Sequence, residues 1–174
     1  MDFITLRTTW GFFSSIAKKF LGIPRHAGCL EGIFNYHFID DRLATSGQPS
    51  ERDFELICEK GYKSVINLAP ANAENSIKDE AATLASLGLH YVHIPVDFYR
   101  PTEKKFNLFV QAVNELKDQK LWIHCAANMR VSAFLFRYRT EVLGINREIA
   151  QVDLDAIWRP FEYWKPFMAG KLEE

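Results

Sequence analysis

The sequence predicts an α/β fold, with a mainly parallel central sheet of four to five strands and helices on both faces. Three observations predict it. Short apolar runs of strand length alternate with amphipathic stretches of helix length, the pattern of βαβ units with right-handed crossovers. The run Lys63 to Leu68 has Val65-Ile66 at its centre and carries no polar alternation, as expected of a strand covered on both faces. The 174 residues are enough for one domain with a full core.

Residues 3–21 read as an amphipathic helix. At about 100° per residue, Phe3, Leu6, Trp10, Phe13, Ile16, Ala17, Phe20 and Leu21 fall on one arc, with Arg7, Ser14, Ser15, Lys18, Thr8 and Lys19 on or near the opposite one. Asp2 is the one acid before residue 31, against four bases, Arg7, Lys18, Lys19 and Arg25. Such a helix either packs its apolar stripe on the domain, lies on an anionic membrane surface, or serves as a targeting segment. Gly22, Pro24, Gly28 and Gly32 then mark a linker. The expected organisation is helix and linker over 1–32 and one domain over 33–174.

Phe34 to Ile39 alternates apolar and polar and predicts a strand, followed by a turn at Asp40-Asp41 and a returning strand at Arg42 to Ser46. Gly47-Gln48-Pro49 breaks it. Ser50 caps the next helix in a capping-box arrangement with Asp53, whose buried stripe is Phe54, Ile57 and Cys58. Pro70 stops the strand at 63–68. A helix at Ile77 to Leu87 and a strand at Leu89 to Val96 follow. Thr102 caps the helix from Glu103 to Leu116. Leu121 to Cys125 is the last strand, and further helices are expected at about Val131–Leu143 and Glu148–Ile157, before the aromatic terminal piece with Phe161, Trp164 and Phe167.

Composition narrows the function. A formal net charge of −1 gives no basic field for nucleic acid. No apolar run approaches the length of a spanning helix. The three cysteines, Cys29, Cys58 and Cys125, are widely separated, which argues against a disulfide framework and fits a reducing, cytoplasmic setting. The five histidines show no metal-ligand spacing; His90 and His93 should face opposite sides of one strand. No metal or cofactor is expected.

The chemistry concentrates in His124-Cys125-Ala126-Ala127-Asn128-Met129-Arg130-Val131-Ser132. A strand ends in Cys125, a small-residue turn follows, and Arg130 opens a helix. Helix N-termini offer unpaired N–H groups and a positive dipole end, which suit an anion and favour thiolate over thiol. Attack on a phosphate monoester would use Cys125 as nucleophile, with Arg130 and the N–H groups of Ala126, Ala127, Asn128 and Met129 around the phosphate oxygens. Asp97, past the end of a neighbouring strand, would protonate the leaving group, with Arg100 on the same loop. Ser132 would steady the departing thiolate, and His124 would orient the loop. Each has a plainer reading: Cys125 as a core cysteine, His124 as a satisfied buried histidine, Asp97 as a solvated loop acid. Asn128 is one of the few non-glycine residues that tolerates positive φ.

These residues carry a resemblance. His124-Cys125, a small loop and Arg130 resemble the active-site loop of cysteine-dependent protein tyrosine and dual-specificity phosphatases. Leu43-Ala44-Thr45-Ser46-Gly47-Gln48-Pro49, with Gly61-Tyr62-Lys63-Ser64-Val65-Ile66-Asn67-Leu68, is similar to the bacterial beta-lactamase-hydrolase-like phosphatase family. The resemblance spans about residues 33–168. It implies a protein tyrosine phosphatase-like fold and a phosphorylated protein or small phosphoester as substrate, with Cys125 as nucleophile, Arg130 as clamp and Asp97 as acid. Two departures stand out. Four residues separate Cys125 from Arg130, where the wider superfamily mostly has five, and Asn128 replaces the usual loop glycine. The four-residue spacing occurs in the beta-lactamase-hydrolase-like branch and also in rhodanese sulfurtransferases. That leaves persulfide chemistry, or a catalytically weak anion-binding module, as alternatives.

Overall fold

The computed structural model describes residues 2–23, 28–161 and 163–171. The expected linker residue Pro24 lies outside them. The central sheet has five strands: β1 (His37–Phe38), β2 (Leu43–Ser46), β3 (Ser64–Asn67), β4 (His90–His93) and β5 (Leu121–His124). Their order is β1-β2-β5-β3-β4. Only the short β1 runs antiparallel; the β2–β5, β5–β3 and β3–β4 pairs are parallel. β5 is therefore central, and its carboxyl end lies between those of β2 and β3 in register, with Ser46 and Asn67 both opposite His124.

The two faces of the sheet carry separate cores, as the period of two along a strand requires. Leu121 and Ile123 of β5 face one cluster and Trp122 the other. The first cluster is closed by α4 (Glu103–Glu115), α5 (Met129–Arg137), α6 (Arg147–Asp155) and α7 (Trp164–Met168), through residues such as Phe109, Phe134, Leu154 and Phe167. The second is closed by α2 (Glu51–Glu59) and α3 (Glu80–Ser86), through Phe54, Ile57 and Leu84. The expected α/β architecture with helices on both faces is the one observed.

Local signals act as expected at several ends. Ser50 and Asp53 form the reciprocal capping box of α2. Thr102 accepts from the Lys105 N–H at the start of α4. Other boundaries differ for identifiable reasons. The strand expected from Phe34 contracts to His37–Phe38, because Asn35 adopts a left-handed conformation (φ 49) in a turn. The strand expected to reach Val96 ends at His93, short of Pro95, which has no N–H for a ladder. The helix expected from Ile77 starts at Glu80, where Asp79 caps it through the Ala82 N–H. The helix expected to run to Leu143 becomes a π-helical turn at Tyr138–Val142. There Thr140 Oγ1 donates to the Phe136 and Arg137 carbonyls and competes with the backbone ladder.

The first helix, α1 (Phe3–Phe20), removes one of the three readings its sequence left open. It does not pack its apolar stripe on the domain. Its buried residues are Thr5 and Thr8, while Phe3, Leu6, Trp10, Phe13, Phe20 and Leu21 are exposed. The reason is the surface it meets. The carbonyls that end α6 lack helical partners, and α1 supplies donors for them. Thr8 Oγ1 donates to the Ile157 carbonyl (2.6 Å), and Arg7 Nη2 to the Ala156 carbonyl (3.0 Å). The Arg159 N–H in turn donates to Thr5 Oγ1 (2.8 Å). At the other end Lys19 Nζ donates to the Glu74 and Ser76 carbonyls. Gly11 permits the close approach: a Cβ there would come within 2.4 Å of the Phe34 ring. No helix among the described residues is long and apolar enough to cross a membrane.

Candidate active site

Cys125 directly follows β5 and is almost fully buried, at 1% exposed. The chain then turns through Ala126, Ala127 and Asn128 into α5. Asn128 is the N-cap residue and takes the left-handed conformation, φ 65. It thus meets the need a loop glycine would meet, and adds an anchor. Its Nδ2 donates to the Asn35 carbonyl (2.8 Å) and to Thr45 Oγ1 (2.9 Å). The first helical bond of α5 is from Ser132 N–H to the Asn128 carbonyl (2.9 Å), so the preceding N–H groups have no partner inside the helix.

Two loop carbonyls are held from outside. Asn75 Nδ2 donates to the Ala126 carbonyl (2.8 Å), which also accepts from the Gln48 N–H (3.3 Å). Asn35 Nδ2 donates to the Ala127 carbonyl (3.0 Å). A carbonyl tied in this way turns no negative end toward an incoming anion. In the planar trans peptide after Ala126, the Ala127 N–H points away from Asn75. The Ser46-Gly47-Gln48 segment lies directly against the loop: the Cys125 N–H donates to the Ser46 carbonyl (3.4 Å), and Gly47 bridges Ala127. Gly47 is required there, since a Cβ would meet the Phe34 ring at 2.5 Å.

Above the loop is a pocket of about 350 Å³, within the size range of small-molecule sites. Ala126, Ala127, Met129 and Arg130 line it from the loop and α5, Phe98 and Tyr99 from the β4–α4 loop, Phe161 from the C-terminal segment, and Thr9, Phe12 and Phe13 from α1. The Arg130 guanidinium stands over the Phe98 ring, 5.3 Å from its centre, and its Nε is buried with no hydrogen-bond partner. A partnerless guanidinium nitrogen beside a loop with tied-back carbonyls has the donor character that a bidentate anion requires.

Behind the loop is a buried histidine–carboxylate pair. His124 is fully buried, and its Nε2 lies 3.1 Å from Glu80 Oε1. Glu80 also accepts from Asn67 Nδ2 (2.7 Å) and Gln48 Nε2 (2.6 Å). Burial pushes the Glu80 carboxyl up, but the attraction of His124 and the hydrogen bonds from His124, Gln48 and Tyr91 outweigh it and hold the group at about 2. An ionised Glu80 only accepts, so His124 carries its proton on Nε2. The same carboxylate, after burial, pushes the nearby Tyr91 hydroxyl up. His124 therefore fixes the end of β5 to α3 and to the Gln48 segment.

The remaining expected site residues are placed differently. Asp97 is exposed on the loop that sends Phe98 and Tyr99 into the pocket, but does not itself line it; its Oδ1 accepts from the Tyr99 N–H (2.8 Å). Arg100 is exposed on the same turn. Ser132 faces the back of α5. Its hydroxyl donates to the Met129 carbonyl (3.0 Å) and accepts from Trp158 Nε1 (3.1 Å), beside a separate cavity of about 10 Å³, space for a water at most. Asn35, Asn75, Asn67 and Glu80 were not legible as site residues. The nearest signal was Asn67, a polar residue closing a buried apolar strand.

The parallel sheet, the cysteine at the end of its central strand and the arginine opening the next helix define a phosphatase-like α/β fold of the protein tyrosine and dual-specificity type. Residues 37–157 match the family described as DSP-PTPase phosphatase fused to NAD+ kinase, and the chain belongs to that family. A candidate phosphatase (DUF442) from Shewanella putrefaciens CN-32 superposes with a TM-score of 0.74 at 30% identity, over 82% of this chain and 93% of that one. P. aeruginosa TpbA (C132S) in complex with pTyr shares the fold, with a TM-score of 0.57 at 17% identity, over 78% and 91% of the two chains. The beta-lactamase hydrolase-like protein of Xylella fastidiosa (strain Temecula1) is 35% identical over 97 residues, which are 53% of this chain and 22% of that protein. The chain thus spans about a fifth of the length of that curated relative.

Proposed function

We propose that this chain is a cysteine-dependent phosphatase that hydrolyses phosphate monoesters, on a phosphoprotein or a small phosphoester, through a phosphocysteine intermediate. The observation that carries the reading is Arg130: its Nε is buried, partnerless and set in the pocket beside the loop that follows Cys125. TpbA, a protein of the same fold, is solved in complex with pTyr.

In the first step the Cys125 thiolate attacks phosphorus and the P–O bond to the leaving group breaks. Arg130 and the N–H groups at the start of α5 balance the equatorial charge. Asp97, exposed on the loop that sends Phe98 and Tyr99 into the pocket, is the assigned donor of a proton to the leaving oxygen, its Oδ1 accepting from the Tyr99 N–H. In the second step Asp97 takes a proton from water, whose oxygen attacks phosphorus, and Cys125 departs as thiolate. Ser132 is a positioning residue here, tying the first turn of α5 to Trp158.

The deciding measurement runs p-nitrophenyl phosphate and, separately, thiosulfate with cyanide. Phosphate release with no thiocyanate is the expected result. Thiocyanate without phosphate would assign Cys125 to sulfur transfer instead. Asp97→Asn should lower turnover of an alkyl phosphate by roughly 10²–10³-fold, and that of p-nitrophenyl phosphate much less, because nitrophenolate needs little protonation. Equal losses on both substrates would remove Asp97 as the acid.

A further inference from the structure

We propose that the outward face of α1 docks on an anionic lipid bilayer, turning the catalytic pocket toward a phosphate carried on an amphiphile in that surface. The docking stands on α1 itself; the substrate class rests on the phosphatase reading above.

Amphipathic helices usually bury their apolar stripe on their own domain. In α1 the polar side is held by side-chain hydrogen bonds to Ala156, Ile157, Asn35, Glu74 and Ser76, from one end of the helix to the other. That fixed attachment presents Phe3, Leu6, Trp10, Phe13, Phe20 and Leu21 to the outside along the whole helix, with Phe3 and Phe20 each 81% exposed and Trp10 78%. Contiguous exposed apolar surface on this scale marks an interaction face.

Charge selects the occupant. Arg7, Lys18 and Lys19 are all exposed, Arg7 and Lys19 while donating to carbonyls of the domain, and Asp2 at the N-cap is the one acid on this segment, so α1 is net basic, with Lys18 free at the edge of the apolar row. Large apolar residues beside a net basic edge suit the boundary between acyl chains and anionic headgroups. A protein partner would need an acidic rim to match. The helix cannot span, so it would lie in the interface plane. The stripe also runs into the active site: Phe13 belongs both to the exposed row and, with Phe12 and Thr9, to the pocket wall opposite Phe98 and Arg130. A bilayer resting on α1 would therefore meet the pocket mouth, and an aromatic wall would accept the apolar part of an amphiphile whose phosphate reaches Arg130.

The test uses the full chain and vesicles of phosphatidylcholine, alone or with phosphatidylglycerol. Trp10 is the exposed one of four tryptophans; Trp122, Trp158 and Trp164 are fully buried, so its emission reports on α1. Co-sedimentation with the anionic vesicles, a blue shift of the emission and a loss of both above tenfold in Phe3→Glu/Phe20→Glu are expected. Neither substitution touches the pocket, and both sites are open to solvent, so the fold and the turnover of p-nitrophenyl phosphate should stay unchanged. Failure to sediment overturns the docking, as does sedimentation that the double substitution leaves intact. A wild-type dimer in size-exclusion chromatography that the substitution makes monomeric, without vesicle binding, assigns the face to a second copy and overturns it too. For the substrate, the variant should lose about tenfold on phosphatidic acid in anionic vesicles while keeping its rate on p-nitrophenyl phosphate. A docked wild type that cleaves p-nitrophenyl phosphate but not phosphatidic acid overturns the amphiphile assignment alone. No release from either substrate is a failure of the phosphatase reading, separate from the sedimentation result.

Discussion

Cys125→Ser should bring phosphate release from p-nitrophenyl phosphate to background, a loss on the order of 10⁴-fold or more. The substitution changes one atom at a site that is 1% exposed, so packing is conserved. The chemistry is not conserved. A serine hydroxyl stays protonated near neutral pH, and no side chain placed beside Cys125 in this structure is assigned to take its proton. The proposed anion receptor is left intact, because Arg130, Asn35 and Asn75 are untouched. The variant should therefore still bind inorganic phosphate or vanadate by calorimetry, with affinity within a few-fold of wild type. Persistent turnover in Cys125→Ser would move the nucleophile elsewhere; loss of both turnover and binding would make Cys125 a structural residue of the loop.

The second large effect is on stability and its pH dependence. Glu80 is held at about 2 against an ordinary value of 4.5. A carboxyl whose folded value is depressed contributes stability that is fully present above the unfolded value and is lost as pH falls through the folded one. The contribution is about 3 kcal/mol at neutral pH and disappears between about pH 4.5 and pH 2. Glu80→Gln removes the charge while keeping the shape, and leaves His124 facing no carboxylate in a fully buried place. Disrupting a buried hydrogen-bond network of this kind costs about 1–3 kcal/mol, which for a domain of this size lowers Tm by about 5 °C. Urea midpoints measured across that pH window should fall steeply for wild type and stay nearly flat for Glu80→Gln. Parallel curves would mean that another carboxylate supplies the acid sensitivity.

What was legible in the chain was local. The capping box at Ser50, the Thr102 cap, the alternation of strands and helices, and the cysteine–arginine loop all depend on residues a few positions apart. The family segment at Ser46-Gly47-Gln48 was readable as a motif but not as a device; only the fold shows it backing the loop and passing Gln48 to Glu80. Asn35 and Asn75 were invisible because an asparagine in a turn looks the same whether or not its amide holds a distant carbonyl. The orientation of α1 stayed open in the sequence for a related reason. Periodicity shows that a helix has two faces, but which one the domain takes is decided by donors and acceptors at the end of α6.

The ties on the active-site loop also bear on the order of folding. Ala126 and Ala127 are held by amides 51 and 92 positions earlier in the chain, and Thr8 reaches across 149 residues to Ile157. Contacts of such separation form late, since the entropy of closing a long loop is lost before the contact repays it. The parallel β3–β5 core can assemble while these amides are still unattached. On a growing chain, the proposed anion cradle would be complete only when Asn35 and Asn75 have docked on the loop that follows β5, so that the site arrives with the closure of the domain.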